Sequence, residues 1–206
     1  MYTFDVLETK RSVMDQPVDD FVENYISSGD RSKTGVRIGN LFSGRIFQDT
    51  DGEALKQNFL KLPKWTDFDR IRKGQKLFSR FGPEISMLLM FKSLPECYAC
   101  GNGVNVLFQT GKFSYKKNKK AFTKRLLDTA QFVQAVLTEG SFEGEKSGLK
   151  ALLKTRVIHA TARCLLKRKG DWDLYKYGAP INQEDMLGTL MAFSISVVEG
   201  LIKLGV

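Results

Sequence analysis

The sequence predicts an all-α protein that folds as a single helical domain. From Gly52 onward, apolar residues recur three or four positions apart, which is the spacing of a helix with one buried face. Glycine and proline separate these stretches, and no alternating strand pattern of comparable strength interrupts them. Hydrophobic residues make up 42% of the 206 residues and include 15 Phe. The chain is therefore long and apolar enough to enclose a core.

Seven helical segments follow from the positions of these breaks. They are predicted near residues 53–61, 67–80, 84–94, 96–108, 119–138, 147–169 and 183–204. The breakers are Pro63, Gly82-Pro83, Pro95, Gly111 and two glycine-containing loops at 140–148 and 170–180. Residues 1–50 mix charge, Gly and Ser without a sustained period. We therefore expect an N-terminal segment over 1–50, which the pattern does not assign, and a helical domain over 51–206.

The net charge of +9 raises the question of an anionic partner such as nucleic acid. The densest basic run, Lys116-Lys117-Asn118-Lys119-Lys120, lies between a predicted loop and the start of a helix. A charge run in that position is usually solvated surface. Because no nucleic-acid-binding motif accompanies it, no specific nucleic-acid partner is expected.

Cysteine usage and the two chain ends indicate a cytoplasmic protein. Three cysteines in a chain whose first 16 residues contain no continuous apolar stretch favour a reducing compartment. The C-terminal stretch 186–206 is the one membrane candidate, but Glu199, Lys203, Gly188 and Gly200 interrupt it. These residues favour a buried core helix over a transmembrane span. Peripheral contact with a membrane stays open, as does the oligomeric state.

Cys97 and Cys100 form a C-x-x-C motif, which occurs in redox pairs, zinc sites and haem attachment sites. No second cysteine pair completes a zinc cluster, and no strand precedes the motif as a redox pair of the thioredoxin type requires. Covalent haem attachment needs histidine next, but Gly101 occupies that position. The pattern is therefore most consistent with two structural thiols on a helix.

Two predicted helices carry the polar and charged residues that could form a functional site. On the 119–138 helix, one stripe of residues three or four apart brings Arg125 and Thr129 onto an apolar face; the stripe consists of Phe122, Arg125, Thr129, Phe132 and Val136. The 147–169 helix is apolar nearly all round, which is typical of a helix buried on most sides. Arg156, His159 and Arg163 interrupt it and share one face, within about one turn of the histidine.

The two arginines need anionic partners, because an unpaired guanidinium in an apolar interior costs several kcal/mol or more. One solution is a haem, in which the imidazole binds the iron and the arginines pair with the two propionates. The other is purely structural: the arginines pair with protein carboxylates such as Glu184 or Asp185, and His159 is an ordinary core histidine. Spacing alone favours the structural solution. With no second histidine, a three-ligand zinc or non-haem iron site is harder to build.

Three C-terminal motifs resemble a known family and reverse that preference. They are TRVIHATAR at 155–163, GDWD at 170–173 and GAPINQEDMLGTLMAFS at 178–194. Shorter matches lie upstream: LPKW at 62–65, SLPECYA at 93–99, TGK at 110–112 and RLLDT at 125–129. In order and spacing this set is similar to the rubber oxygenase and mycophenolic-acid oxygenase (MpaB-type) family, formerly a domain of unknown function. The resemblance runs from about residue 60 to the C-terminus.

The resemblance implies a helical, globin-like core that holds one haem b. His159 would be the iron ligand, Arg156 and Arg163 would anchor or tune the haem, and Arg125 with Thr129 would line the opposite, distal side. The implied reaction is oxidative cleavage of a carbon–carbon double bond by dioxygen, in an apolar, isoprenoid-like substrate. Relatives continue with further helices after Phe193-Ser194, which a chain ending at Val206 would lack.

Two positions depart from the family. Latex-cleaving members carry a lysine that can cap the iron where this chain has Asp128, so Asp128 is a candidate distal residue with altered chemistry. A glutamate proposed as catalytic base has Gln109 as its nearest counterpart, and an amide cannot accept the proton. These departures keep two alternatives open: a haem-binding sensor or carrier without turnover, and a helical interaction module without cofactor.

Part of the 178–194 motif has a structural explanation. Asn182 after Pro180 is typical of a helix N-cap, and Asp185 falls in the first turn, where the helix dipole favours negative charge. We therefore expect residues 180–185 to begin a helix.

Overall fold

The computed structural model describes residues 3–28, 30–99, 101–111 and 119–206, and within these ranges it contains helices and no strand. The all-α prediction is thereby confirmed. The α-helices are α1 (Phe4–Lys10), α2 (Gln16–Ser27), α3 (Thr34–Ser43), α4 (Thr50–Phe59), α5 (Phe68–Leu88), α6 (Leu94–Ala99), α7 (Gly101–Gln109), α8 (Lys119–Leu137), α9 (Ser147–Lys169), α10 (Leu174–Tyr177), α11 (Gln183–Phe193) and α12 (Ile195–Lys203). Short 3-10 turns occur at Arg31–Lys33 and Arg45–Gln48, and a π-helical turn at Leu89–Ser93.

Helix α9 is the central element of the fold. It packs against α2, α3, α4 and α8. The main core gathers buried side chains from α2, α3, the second 3-10 turn, α4 and α9; they are Val18, Val22, Ile26, Leu41, Ile46, Leu55, Leu153, Val157, Ala160 and Cys164. The prediction that this helix is buried on most sides is therefore correct.

The N-terminal residues that the sequence pattern did not assign form three helices. In α2, Val18, Val22 and Ile26 are spaced by four, and all three are buried against α9. Pro17 lies in the first turn of α2, where its missing N–H costs nothing. Residues 1–50 and α9 thus share one core.

A second, smaller core joins α5 to α12. Ile85 and Leu88 of α5 pack with Val197 and Leu201 of α12. Gly200 lies so close to the Leu88 side chain that a β-carbon there would overlap it. This close approach fixes α12 along the end of α5.

The break predicted at Gly82-Pro83 is a kink rather than a helix end. Helix α5 continues from Phe68 to Leu88, and Phe81 has non-helical dihedral angles of φ −121° and ψ 28°. Proline lacks the N–H that the helix ladder needs, so the helix kinks two residues before it, at Phe81. Packing of Ile85 and Leu88 on α12 orders the chain beyond the kink.

The apolar C-terminal stretch differs from the buried helix that was expected. It breaks at Ser194 (φ −124°, ψ −79°) into α11 and α12, and several of its apolar side chains are exposed, including Leu190 and Ile202. Among the described residues, Gln183–Lys203 is the one stretch long and apolar enough to cross a membrane by length and composition alone, and 22% of its apolar 18-residue window is buried.

Two sequence predictions fall partly outside the described residues. Cys97 lies on α6, whereas Cys100 is not among the residues described. In the lysine run, Lys119 and Lys120 begin α8, and Lys116, Lys117 and Asn118 lie outside the described ranges.

Replacing Gly52 by alanine tests the packing of α4 on the second 3-10 turn. A β-carbon at Gly52 would overlap the carbonyl oxygen of Ile46, so Gly52→Ala should destabilise the protein by about 2 to 3 kcal/mol. Gly74, inside α5, has no atom within 4 Å of its β-carbon position. Gly74→Ala should therefore raise stability by roughly 0.5 to 1 kcal/mol, the usual gain inside a helix. Urea unfolding measures both, and similar effects would refute this packing.

Candidate functional site

Helix α9 carries the predicted cluster Arg156, His159 and Arg163. It begins after Lys146, a non-glycine residue with a positive φ of 53°, and its C-cap is Gly170 with φ 76°. The Gly170 N–H donates to the Leu166 carbonyl, which is the usual left-handed end of a helix. The 23 residues between form one unbroken helix, so spacing alone sets the three side chains on neighbouring turns.

Arg163 is the most buried charged group of the cluster, with 5% of its surface exposed. Its Nε donates to Oδ1 of Asp19 on α2 at 2.7 Å, and its Nη1 donates to the Ile181 carbonyl at 3.2 Å. Its Nη2 is buried and has no hydrogen-bond partner among the described residues. The Nη2 amino group of Arg163 can therefore still donate a hydrogen bond.

The partners of Arg163 are themselves unusual. Burial raises the pKa of Asp19, while the charge and hydrogen bond of Arg163 act in the opposite direction. Ile181 has a φ of 54°, which is rare and strained for a β-branched residue. The carbonyl of this strained residue accepts a hydrogen bond from Arg163, so the strained backbone directly contacts the buried cation.

Arg156 is held by a second aspartate of the same segment. Its Nε and Nη2 donate to the two carboxylate oxygens of Asp15 at 2.7 and 2.8 Å, a forked arrangement. The guanidinium also lies over the Phe59 ring, 4.5 Å from its centroid. The structural alternative expected Glu184 or Asp185 as partners, but the acids that pair with the two arginines are Asp15 and Asp19.

The His159 imidazole is neutral over most of the pH range. Burial lowers its pKa to about 4, and the nearby charge of Arg163 acts in the same direction, while Asp15 opposes it. In the part of the chain that the structure describes, no hydrogen bond engages this side chain. A neutral imidazole with an unengaged ring nitrogen has the protonation state that a metal ligand requires.

The predicted distal residues lie on α8. Arg125 is half-buried; its Nη1 donates to the Tyr98 hydroxyl at 2.5 Å, and its guanidinium lies over that ring. The Thr129 hydroxyl donates to the Arg125 carbonyl at 2.9 Å. Asp128 is exposed and pairs with Lys124 at 2.7 Å. The structure thus groups Arg125 with Thr129 and directs Asp128 towards solvent.

The hairpin of α8 and α9 sets Arg125 and His159 at the same level. The two helices pack against each other and are joined by the short loop 138–146, so they run antiparallel. Arg125 is 12 residues before the end of α8, and His159 is 12 residues after the start of α9. At 1.5 Å per residue, each lies about 18 Å from the loop.

A buried polar contact fixes the loop of this hairpin. The Gln75 amide on α5 donates to the Ser141 hydroxyl at 3.0 Å and accepts from the Gly140 N–H at 3.2 Å. Ser141 also donates to the Val136 carbonyl at 2.8 Å. These hydrogen bonds hold the turn that determines which residues of α8 and α9 face each other.

Two cavities are described, and His159 lines neither. One, of about 550 Å³, lies between α3, α4 and α9. The other, of about 240 Å³, is lined by Arg11, Gly101, Asn102, Glu184 and Asp185. Burial raises the pKa of Asp185 to about 6, and the neighbouring charge of Glu184 acts in the same direction.

As expected, Asn182 caps α11, and its side chain accepts from the Asp185 N–H at 2.9 Å.

The sequence did not identify Asp15, Asp19 or Tyr98 as site residues. Asp15 and Asp19 are spaced by four at the start of α2, a spacing that sets both on one face. That spacing was visible, but nothing local indicates a partner more than 140 residues away. Gln109, the residue nearest to the position of the glutamate proposed as catalytic base in relatives, ends α7, and its buried Oε1 has no hydrogen-bond partner among the described residues.

Fold and site define an all-α domain whose sole histidine lies between two arginines on a central helix. The family model for "ER-bound oxygenase mpaB/B'/Rubber oxygenase, catalytic domain" matches residues 99–204, which is just over half of the chain. The chain belongs to this family and is an oxygenase-type catalytic domain, as its sequence motifs predicted. The match includes all six predicted site residues. Neither the curated proteins nor the solved structures gave a match.

The ion pair between Asp19 and Arg163 should be a main stabilising contact between α2 and α9. Removing one partner of a buried pair costs roughly 3 to 5 kcal/mol, so we expect a loss of that size for Asp19→Asn in urea unfolding. Glu23→Gln is the matched control, because Glu23 pairs with Lys167 between the same helices on the exposed surface. Its loss should stay below about 1 kcal/mol. Equal losses would contradict this assignment.

The neutral state of His159 should make stability depend on pH. Its pKa in the folded protein, about 4, is lower than the unfolded value of 6.5. The contribution is therefore complete above pH 6.5 and is lost as pH falls towards 4. Between pH 7.5 and pH 5, wild type should lose about 1 to 2 kcal/mol more than His159→Gln. Equal losses in urea titrations at the two pH values would show that the imidazole is charged or solvated.

Proposed function

We propose that this oxygenase domain binds haem b through His159 and uses dioxygen to cleave or oxidise an apolar, unsaturated, isoprenoid-like substrate. The observation that carries the proposal is the state of His159: a sole histidine, kept neutral by burial, with no hydrogen bond among the described residues. A globin-like arrangement of helices around the haem and a cytoplasmic location are part of the same proposal.

The donor set fits haem better than a protein-ligated metal. No group of three His, Cys, Asp or Glu side chains suited to a metal ion occurs among the described residues. Zinc or non-haem iron usually takes at least three such ligands, whereas a haem would need only one side-chain ligand, which His159 would supply. Cys164 on the same helix is a weaker candidate, because burial raises the pKa of its thiol.

The arginines have spare capacity for a carboxylate. The unpartnered Nη2 of Arg163 is the kind of donor that a propionate oxygen would satisfy. Arg156 binds Asp15 through Nε and Nη2, which leaves its Nη1 available. Since Asp15 and Asp19 already neutralise these cations, the arginines would position and tune the haem rather than depend on it for their own burial.

Arg125 and Thr129 would form the opposite wall of the site. Arg125 brings a permanent positive charge to the level of His159, and a cation there stabilises negative charge that develops on oxygen. Its hydrogen bond to Tyr98 fixes the direction of the guanidinium. Thr129 is bonded to the helix backbone through its hydroxyl, so its methyl group can face the substrate. Asp128, paired with Lys124 in solvent, stays a prediction as a distal residue.

When bound, haem would supply activation of dioxygen, which protein side chains do not provide. Cleavage of a carbon–carbon double bond by one dioxygen molecule yields two carbonyl groups that contain both oxygen atoms. The overall reaction therefore consumes no external reductant once the iron is ferrous. The task of the protein would be to hold the substrate, exclude water and keep His159 unprotonated.

A second function is favoured by the pairing of both arginines with aspartates. Since Asp15 and Asp19 satisfy the cations, the domain can be stable without haem, as a helical interaction module would be. Gln109 is the residue nearest to the position of the glutamate proposed as catalytic base in relatives, and its amide likewise favours haem binding without turnover, as in a sensor or carrier.

Haem content after expression with haem supply tests the ligand assignment. Wild type should show a Soret band, and His159→Ala should lose it, with haem per protein reduced about tenfold or more. Cys164→Ala is the matched control on the same helix and should keep the haem content of wild type. Equal haem in wild type and His159→Ala would refute the assignment, and colourless wild type that does not bind added hemin would support the interaction module.

Oxygen consumption separates the enzyme from a carrier. With squalene or a polyisoprene emulsion, haem-loaded wild type should consume dioxygen and form carbonyl products. Arg125→Leu should retain haem but lose at least about tenfold in rate, because it removes one charged stabilising group. Haem binding without oxygen uptake would favour the sensor or carrier.

A further inference from the structure

The cavity of about 550 Å³ lies on a face of α9 other than that of His159. It is lined by the end of α3, the second 3-10 turn, α4 and the first turns of α9; its lining residues are Ser43, Gly44, Phe47, Gln48, Lys56, Lys150, Ala151 and Lys154. Lys154 and His159 are five residues apart on one helix, which turns their side chains roughly 140° from each other. The cavity is therefore separate from the proposed haem site.

The charges lining this cavity all have the same sign. Lys56, Lys150 and Lys154 line it, and no carboxylate does. Lys150 and Lys154 are one turn apart on α9, a spacing at which like charges repel. In the part of the chain that the structure describes, Glu53 pairs with Lys56, but neither Lys150 nor Lys154 has an ion-pair partner. A cleft lined by one sign of charge concentrates ions of the opposite sign.

The backbone beside the lysines contributes to the shape of the cavity. Gly44 has a φ of 79°, and a β-carbon there would lie 3.3 Å from Cε of Lys154. The aliphatic stem of Lys154 thus packs over Gly44. Phe47 and Ala151 supply apolar surface, and Gln48 offers an amide donor.

We propose that this cavity is a binding site for a phosphate-bearing ligand, an organic phosphate or diphosphate. The two unpaired ammonium groups of Lys150 and Lys154, with Lys56 beside them, match an anion of two or more charges better than a single carboxylate. The apolar surface of Phe47 and Ala151 accommodates the organic part. The phosphate belongs either to a free small molecule or to a lipid head group, and both present the same chemistry to the lysines.

Calorimetric titration of the full chain with sodium pyrophosphate tests the site. We expect saturable binding with a Kd below about 1 mM, which corresponds to about −4 kcal/mol. The double variant Lys150→Gln/Lys154→Gln should bind at least tenfold more weakly. Because both lysines are exposed, its thermal unfolding should match that of wild type.

The matched control removes the same charge elsewhere. Lys73 and Lys76 lie one turn apart on α5, are exposed and line neither described cavity. Lys73→Gln/Lys76→Gln should therefore bind pyrophosphate within twofold of wild type. Equal weakening in both double variants would show that the net charge of +9 attracts the anion without a site, and would overturn the proposal.

Vesicles distinguish the two sources of phosphate. Phosphatidylcholine vesicles with and without phosphatidic acid are sedimented with each variant. Retention that requires phosphatidic acid and the Lys150/Lys154 pair would assign the site to a lipid head group. Pyrophosphate binding without such retention would assign it to a free ligand. Binding of neither probe by wild type would overturn the proposal.

Discussion

The buried ion pair between Asp19 and Arg163 is the contact on which the rest of the site depends. Arg163 lies almost wholly inside the protein, where an uncompensated charge is prohibitively costly. Asp19 lies on α2, so the cation can be buried only when the N-terminal helices are in place. The forked contact between Asp15 and Arg156 repeats this connection two turns away. Residues outside the family match thus set the environment of residues inside it.

The same contacts determine the chemistry of His159. Its pKa falls because neighbouring helices remove water from the imidazole, and because Arg163 adds a positive charge nearby. Asp15 and Asp19 each bind an arginine, so neither holds the ring by a hydrogen bond. The result is a neutral nitrogen base, fixed at the level of Arg125 by the hairpin of α8 and α9. The hydrogen bonds of Gln75 to the hairpin loop maintain that level.

Local sequence predicted the long helices well and the interrupted ones less well. The bounds of α8 and α9 fall within one residue of the prediction, because Gly140, Gly144 and Gly170 lie in the chain after α8 and after α9, and tertiary packing is not needed to end these helices. Helix α5 continued past Gly82-Pro83, since packing of Ile85 and Leu88 on α12 outweighs the lost hydrogen bond at proline. In α2, the three buried residues are too few to stand out among charged neighbours.

By itself the sequence determined the helical class, from apolar periodicity, and the family, from the resemblance of its motifs. It also determined the grouping of Arg156, His159 and Arg163, which follows from spacing along one helix. It also determined the Asn182 cap, which involves neighbours three residues apart. Only the tertiary structure decided which acids neutralise the arginines, that Asp128 lies in solvent, and that lysines of α4 and α9 line one cavity. These are contacts between residues far apart in the chain. They depend on how whole helices pack, and no local pattern encodes that choice.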